Sequence, residues 1–412
     1  MIARASFNGQ SDLQIMKILF VVDARSPIAL NWIRYFAGRG DEIYIASTFA
    51  CLVDLPVNGL EITPVAFSAL KKLSQRPGST SSRMLRLSSA QAMGLRTMIR
   101  QWFGPLTVRH ASKRLRAFIE RVKPDLIHAM RIPYEGMLAS QALEAMKGTI
   151  KAPLIISSWG NDFTLHALST RFMSHHTRRA MQFTDAFHAD CHRDVRLAKE
   201  WGLASSKPTL VVPGNGGIRT DIFYPNSKPV DETVIINPRG FRPYVRNDIF
   251  FKAIPLVLEV HPEAKFICAS MAGESEAENW IRELNIGPAV ELLPPMPHTH
   301  MANAFRRAQI VVSPSIHDGT PNTLLEGMAC GCFPVAGDLE SIREWITPSE
   351  NGLLFDSNDP QSIADTILSA IKNKDLRDKA VRLNQEVIAS RAEYENNMQR
   401  VEEFYANVCI HR

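Results

Sequence analysis

The chain has 412 residues, 45% hydrophobic and 22% charged, the balance of a soluble globular protein long enough for two domains. No apolar run reaches the roughly 18 to 20 residues that a membrane span requires. The six cysteines are scattered, which suits a reduced, cytoplasmic protein better than a disulfide framework.

Residues 1–15 are polar and without periodicity. They read as a disordered extension, or as the product of an upstream start with Met16 the true one, and no apolar stretch follows a basic start as in a signal peptide. From residue 17 to about 370, short apolar strands alternate with helical patterns, which predicts parallel sheets with helices on both faces. A first series of strands is predicted at 17–22, 42–47, 125–129, 153–157, 186–189 and 209–212. A second is predicted at 233–237, 264–269, 289–292, 309–313, 333–336 and 352–355. Pro213-Gly214-Asn215-Gly216-Gly217 lies between them and reads as a hinge. It is a poor dinucleotide fingerprint, because Arg219 stands where the third glycine would be and the segment follows a sixth strand. The expected organisation is two doubly wound, Rossmann-like domains, 16–212 and 213–392, facing a cleft. A C-terminal helix, 393–412, follows.

Charge is uneven along the chain. Residues 71–123 carry thirteen Lys and Arg against one acid, Glu120, so this block is +12 in a chain whose total is +5. It also carries apolar residues at helical spacing: Met93, Leu95, Met98, Ile99, Trp102, Phe103, Leu106 and Val108. A basic amphipathic segment with Trp and Phe suits an anionic membrane surface or a lipid-diphosphate acceptor. A solvated basic face is the plain alternative. No nucleic-acid motif accompanies the block, and no nucleic-acid partner is expected.

The most informative stretch is 309–337, QIVVSPSIHDGTPNTLLEGMACGCFPVAG. A strand runs into a loop holding Asp318, and a helix carrying Glu326 follows. Thr320 is expected as its N-cap, Pro321 as its first residue and Gly331 at its far end. The first free N–H groups would then be those of Asn322 and Thr323. Such a helix start carries roughly half a positive charge and donors without internal partners, a ready site for a diphosphate. Glu326 lies deeper, where it can accept two hydroxyl hydrogens from a ribose. An acid, seven residues and a second acid, with a helix start between, suit a sugar nucleotide.

This spacing resembles the acid-x7-acid signature of retaining glycosyltransferase family 4, which has the GT-B fold. The similarity continues through Leu324-Leu325-Glu326-Gly327-Met328-Ala329-Cys330-Gly331 and departs at Asp318, where the family most often has Glu. The shorter side chain draws its carboxylate back by about one bond, which bears on the donor sugar's identity. The resemblance implies that Glu326 holds the ribose and Asp318 faces the donor sugar, with Gly319, Thr320 and Leu324 beside them. It also implies an Arg and a Lys in the first loop of the second domain, on the leaving diphosphate. Here that loop, 237–248, offers Arg239, Arg242 and Arg246 and no Lys. Arg239 occupies the Arg position, and Arg246 is nearest the absent Lys. Ser157-Ser158-Trp159-Gly160-Asn161-Asp162 resembles the family's "HG-x-D" loop, with Trp159 in place of His. Gly160, Asn161 and Asp162 become donor-side candidates; a helix cap is the plain reading of Asp162. Pro213 to Pro225 resembles the family's inter-domain segment. His128, Trp159 and Ser26, at three strand ends, become acceptor-side candidates.

No Asp-x-Asp pair exists to hold a metal on the diphosphate, so no metal and no cofactor is expected. The co-substrate would be a nucleotide sugar, UDP- or GDP-linked, and the acceptor a glycan or a lipid-linked glycan. The expected place of work is the cytoplasm, or the inner face of a membrane reached through 71–123. Two other readings stay open at this point. They are a sugar-nucleotide epimerase of GT-B-like fold, which C2 deuterium exchange without transfer would favour, and a non-catalytic nucleotide-sugar-binding scaffold, which any turnover would dismiss.

Overall fold

The computed structural model describes residues 15–66, 89–146, 149–226 and 232–410. A first sheet contains β1 (Lys17–Val22), β2 (Glu42–Ser47), β3 (Gly59–Ile62), β4 (Leu126–Met130), β5 (Leu154–Ser158), β6 (Ala186–Ala189) and β7 (Thr209–Val211). A second contains β8 (Val234–Asn237), β9 (Lys265–Cys268), β10 (Val290–Leu292), β11 (Ile310–Ser313), β12 (Phe333–Gly337) and β13 (Leu353–Phe355). The strand orders are β3-β2-β1-β4-β5-β6-β7 and β10-β9-β8-β11-β12-β13, and every pairing is parallel.

The helices are α1 (Pro27–Arg39), α2 (Ser89–Val122), α3 (Met137–Glu144), α4 (Arg171–Phe183), α5 (His192–Glu200), α6 (Asn247–Val260), α7 (Ser275–Glu283), α8 (His298–Arg306), α9 (Asn322–Ala329), α10 (Pro360–Lys372), α11 (Lys374–Val387) and α12 (Tyr394–Ile410). Helices must cover both faces of a parallel sheet, so its strands read as continuous apolar runs. In β1, Leu19 and Val21 join one core, while Ile18, Phe20 and Val22 join the other with Trp32, Ile33 and Phe36 of α1. The second sheet divides likewise, Ile236 to one side and Ile235 to the other.

The expected strands appear within a residue or so of their predicted limits. β3 was not expected. It is a four-residue edge strand with Leu60 and Glu61 at its centre, and it shows neither an apolar run nor a clean alternation.

The two halves are joined twice. The chain leaves the first sheet through Pro213–Gly217 and returns near Ala392, and the two crossings lie side by side. Ile218 N donates to Ala392 O at 2.7 Å, and Tyr394 N donates to Ile218 O at 3.1 Å. After the return, Tyr394, Met398, Val401, Phe404, Tyr405 and Val408 of α12 pack into the core beneath the first sheet.

Of the basic block, 71–88 lies outside the described residues, as do residues 1–14 and the end of the chain at 411–412. α2 carries the rest of the block, with Val108 buried and Trp102, Phe103 and Leu106 exposed. Among the described residues no helix is long and apolar enough to cross a membrane.

Candidate active site

The carboxyl ends of both sheets open onto one cleft, where ligands bind in doubly wound proteins. The cleft holds a cavity of about 520 Å3. Loops after β1, β4, β5 and β6 form one wall and loops after β8, β9, β10 and β11 the other.

α9 forms the heart of the second wall. It starts one residue later than expected, at Asn322, with Pro321 in the cap position. Thr320 does not cap it, because its hydroxyl donates across the cleft to the carbonyl of Asp190. The consequence expected of the helix start holds nonetheless. The amides of Leu324 and Leu325 are spent on Pro321 O, and among the described residues those of Asn322 and Thr323 have no acceptor. Asn322, Thr323 and Glu326 all line the cavity, with Asp318 and Thr320. Leu324, expected beside the donor, is instead wholly buried in the hydrophobic core, on the face of α9 turned from the cleft.

Burial raises the Glu326 carboxyl to about 8, and Arg239 only partly offsets that. Arg239 lines the cavity and stands 3.0 Å from Asp318 Oδ2. The two charges pair without hydrogen-bond alignment, since Asp318 Oδ2 is otherwise unpartnered. Arg239 Nη1 also reaches Thr323 Oγ1 at 3.5 Å. Arg242 lines the cavity, exposed, its side chain bonded among the described residues only to the neighbouring Phe241 carbonyl. Arg246 does not line it. Its guanidinium grips Asp248 with two bonds of 3.0 Å and turns its remaining arm to Asn358. The second cleft arginine is therefore Arg242, because the acid two residues on, at the start of α6, captures Arg246.

On the first wall, Trp159, Gly160 and Asn161 line the cavity. Gly160 has φ +49, and a Cβ there would stand 2.1 Å from Gly319 N. The two halves thus touch through paired glycines, where only backbone fits. Asp162 turns inward, wholly buried. It takes Arg131 Nη2 at 3.0 Å and the amides of Ile132 and Trp159 at 3.1 and 3.2 Å. It anchors the loop and does not reach the cavity. Ser26 is the N-cap of α1, accepting from Ala29 N, and Pro27, Ile28 and Asn31 line that corner of the cavity.

His128 is also a framework residue. Trp32 Nε1 donates to Tyr405 Oη at 3.0 Å, which shares a 2.5 Å bond with His128 Nδ1. His128 Nε2 meets Ser157 Oγ at 2.6 Å, Ser157 Oγ meets His188 Nδ1 at 2.8 Å, and His188 Nε2 reaches Val212 O at 3.0 Å. Trp32 at one end can only donate and Val212 O at the other only accept, so each link has one direction and both histidines are neutral. Burial lowers both imidazoles, His188 to about 4.

Two residues the sequence reading passed over hold the walls together. Arg193, nearly buried at the start of α5, donates to Asp318 O at 2.8 Å, to Ser341 Oγ at 3.1 Å and to Gly160 O. It also pairs with Asp194. The amides of His192 and Arg193 meet the Glu344 carboxylate at 2.8 and 2.9 Å. Asp190, at the end of β6, lines the cavity. Both follow a parallel strand's carboxyl end, the one sequence signal that could have marked them. Asp190, Cys191 and Asp194 bring potential ligand atoms within 4.8 Å of one another. Arg193 already supplies the positive charge there.

A cleft between two parallel sheets, with its acid pair on the second, is the arrangement of the GT-B glycosyltransferases, and the chain belongs to the glycosyl transferases of group 1. That family's pattern matches residues 218–387, and the glycosyl transferase 4-like domain matches 42–215. Among curated relatives, D-inositol 3-phosphate glycosyltransferase of Thermobispora bispora is 26% identical over 192 residues, 42% of this chain and 45% of that protein. The enzyme of the same name from Corynebacterium jeikeium is 31% identical over 137 residues, 31% of this chain and 33% of that protein. The chain thus matches less than half the length of either relative. Solved structures of the same fold include sucrose-phosphate synthase from Thermosynechococcus elongatus, TM-score 0.71 at 13% identity, covering 96% of this chain and 100% of that one. Anabaena HepE in complex with UDP-glucose has TM-score 0.67 at 15% identity, covering 95% and 100%.

Proposed function

We propose that the protein is a retaining glycosyltransferase that moves a sugar from a nucleotide sugar to a hydroxyl of a glycan or lipid-linked acceptor. One observation carries this reading: Asp318 and Glu326 open on the same cavity, with the free amides of Asn322 and Thr323 between them. Family membership and the UDP-glucose complex of the Anabaena neighbour support it.

Glu326 accepts the ribose hydroxyls. The helix start and Arg239, with Arg242 at the mouth, stabilise charge that builds on the diphosphate as the glycosidic bond breaks. Arg239 leaves Asp318 as the diphosphate arrives, which frees that carboxylate for the sugar. The acceptor hydroxyl attacks the face the diphosphate leaves, and a donor phosphate oxygen takes its proton. The paired walls exclude water. Trp102, Phe103 and Leu106, exposed on the basic α2, are the surface we assign to peripheral contact with the cytoplasmic face of a membrane.

The test is calorimetry with UDP, GDP, ADP and dTDP, without metal, on wild type and Glu326→Ala. The expected result is micromolar affinity for one nucleotide, unaffected by EDTA and lost in the variant. No binding to a folded wild type would overturn the reading.

A further inference from the structure

Asp190 is an acid that the mechanism above does not use. It follows β6 on the first wall and is 7% exposed, yet among the described residues its Oδ1 has no hydrogen-bond partner. Buried polar atoms are almost always paired, and an orphan in a cleft needs an explanation. Among the described residues, Trp159 Nε1 and Asn322 Oδ1 are likewise buried without a hydrogen-bond partner and belong to residues that line the same cavity, as does Asp318, whose Oδ2 has only its ion pair with Arg239. One is a fixed donor, and the others are acceptors or, for a protonated carboxyl, either.

The glycines locate the group. A Cβ on Gly319 would stand 2.4 Å from both Asp190 carboxyl oxygens, so that carboxyl lies flat against the residue after Asp318. A Cβ on Gly214 would stand 3.4 Å from Trp159 Nε1 and 3.8 Å from Asp190 Cβ, so indole and acid are neighbours at the hinge end of the cleft. Arg193 is committed to Asp194, Gly160 and Asp318, and does not satisfy Oδ1. Burial, then the neighbouring Asp194, raise the Asp190 carboxyl well above the usual range. A carboxyl matches a sugar hydroxyl, which can donate to it, and not a phosphate, which offers only acceptors.

We propose that Asp190 and the Trp159 indole N–H form, with Asp318, a hydroxyl-reading subsite for the transferred sugar of the donor. This rests on the sugar-nucleotide reading and extends it. The nucleotide is held by the second wall, and the sugar is read across the cleft by the first.

The experiment is calorimetric titration of wild type, Asp190→Ala and Asp190→Asn with UDP, UDP-glucose, GDP and GDP-mannose, alongside melting temperatures. For the nucleotide pair that wild type binds, Asp190→Ala should bind the sugar nucleotide about tenfold more weakly and the free nucleotide within twofold of wild type. Asp190→Asn, which keeps the shape and carries both a donor and an acceptor for a hydroxyl, should restore most of the loss. Melting temperature should stay level or rise, since an orphan buried group is removed. Equal weakening of nucleotide and sugar nucleotide with a lower melting temperature would make Asp190 a structural strut and overturn the proposal. So would unchanged sugar-nucleotide affinity, or an effect confined to the acceptor's KM. Failure of wild type to bind any nucleotide would sink the underlying reading itself.

Discussion

Glu326 shows how a single buried carboxyl sets conditions for the whole site. With its carboxyl near 8, the protein holds it protonated at neutral pH, whereas two ribose hydroxyls are best received by the carboxylate. Nucleotide affinity should therefore rise with pH up to about 8 and level off above, with proton release on binding near pH 7. Calorimetry in buffers of different ionisation heat would read both. The stability sign runs the other way. The folded value lies above the unfolded one, so Glu326 costs nothing below the ordinary carboxylate range, destabilises the fold progressively as pH rises from there to about 8, and adds no further cost above it. Glu326→Gln should melt close to wild type at about pH 4 and higher at about pH 8.5, and thermal denaturation at the two pH values would check it. Among the arginines, Arg239→Ala should cut transfer about a hundredfold. Arg246→Ala, whose side chain grips Asp248 outside the cavity, should leave it within about twofold. Equal effects in a steady-state assay would contradict the geometry.

At the scale of elements, the strand-helix alternation and the acid pair around a helix start were legible because they rest on local patterns: apolar runs, a proline, a glycine, a fixed spacing. Failures came where a long-range partner decided a side chain's fate. Asp162 was claimed by Arg131, thirty-one residues away, Thr320 by Asp190 and His128 by Tyr405 on the last helix. Leu324 was misassigned through helix phase, since Asn322, Thr323 and Glu326 face the cleft while it faces the core. Nothing in one sequence announces such pairings. The paired loops of Gly160 and Gly319 make an element-level prediction. Gly160→Ala would place a methyl 2.1 Å from Gly319 N and hold the walls apart. It should lower kcat by about tenfold or more while nucleotide affinity, owed to the second wall, changes little. Loss of both together would contradict this.

At the scale of the whole molecule, the buried line from Trp32 to Val212 ties α1, α12 and three strands of the first sheet. Tyr405→Phe removes the donor to His128 and should cost about 1 to 3 kcal/mol by leaving buried polar groups unmet, measurable by urea denaturation. Both histidines are held neutral, so their folded values lie below the unfolded one. Stability is fully present above about pH 6.5 and declines as pH falls towards about 4, the value for His188. An acid titration of melting temperature would show the slope.

The double crossing between the halves has a mechanical consequence. A single linker would let one half twist and swing freely about the other. Two connections, stitched together at Ile218 and Ala392–Tyr394, resist twisting and leave one soft direction, like a door hung on paired pins. Any opening that admits a donor should then be a one-axis rotation about that seam. Loops far from the seam travel furthest, while the hinge end near Gly214, where Gly160 meets Gly319 beside Asp190, keeps its spacing.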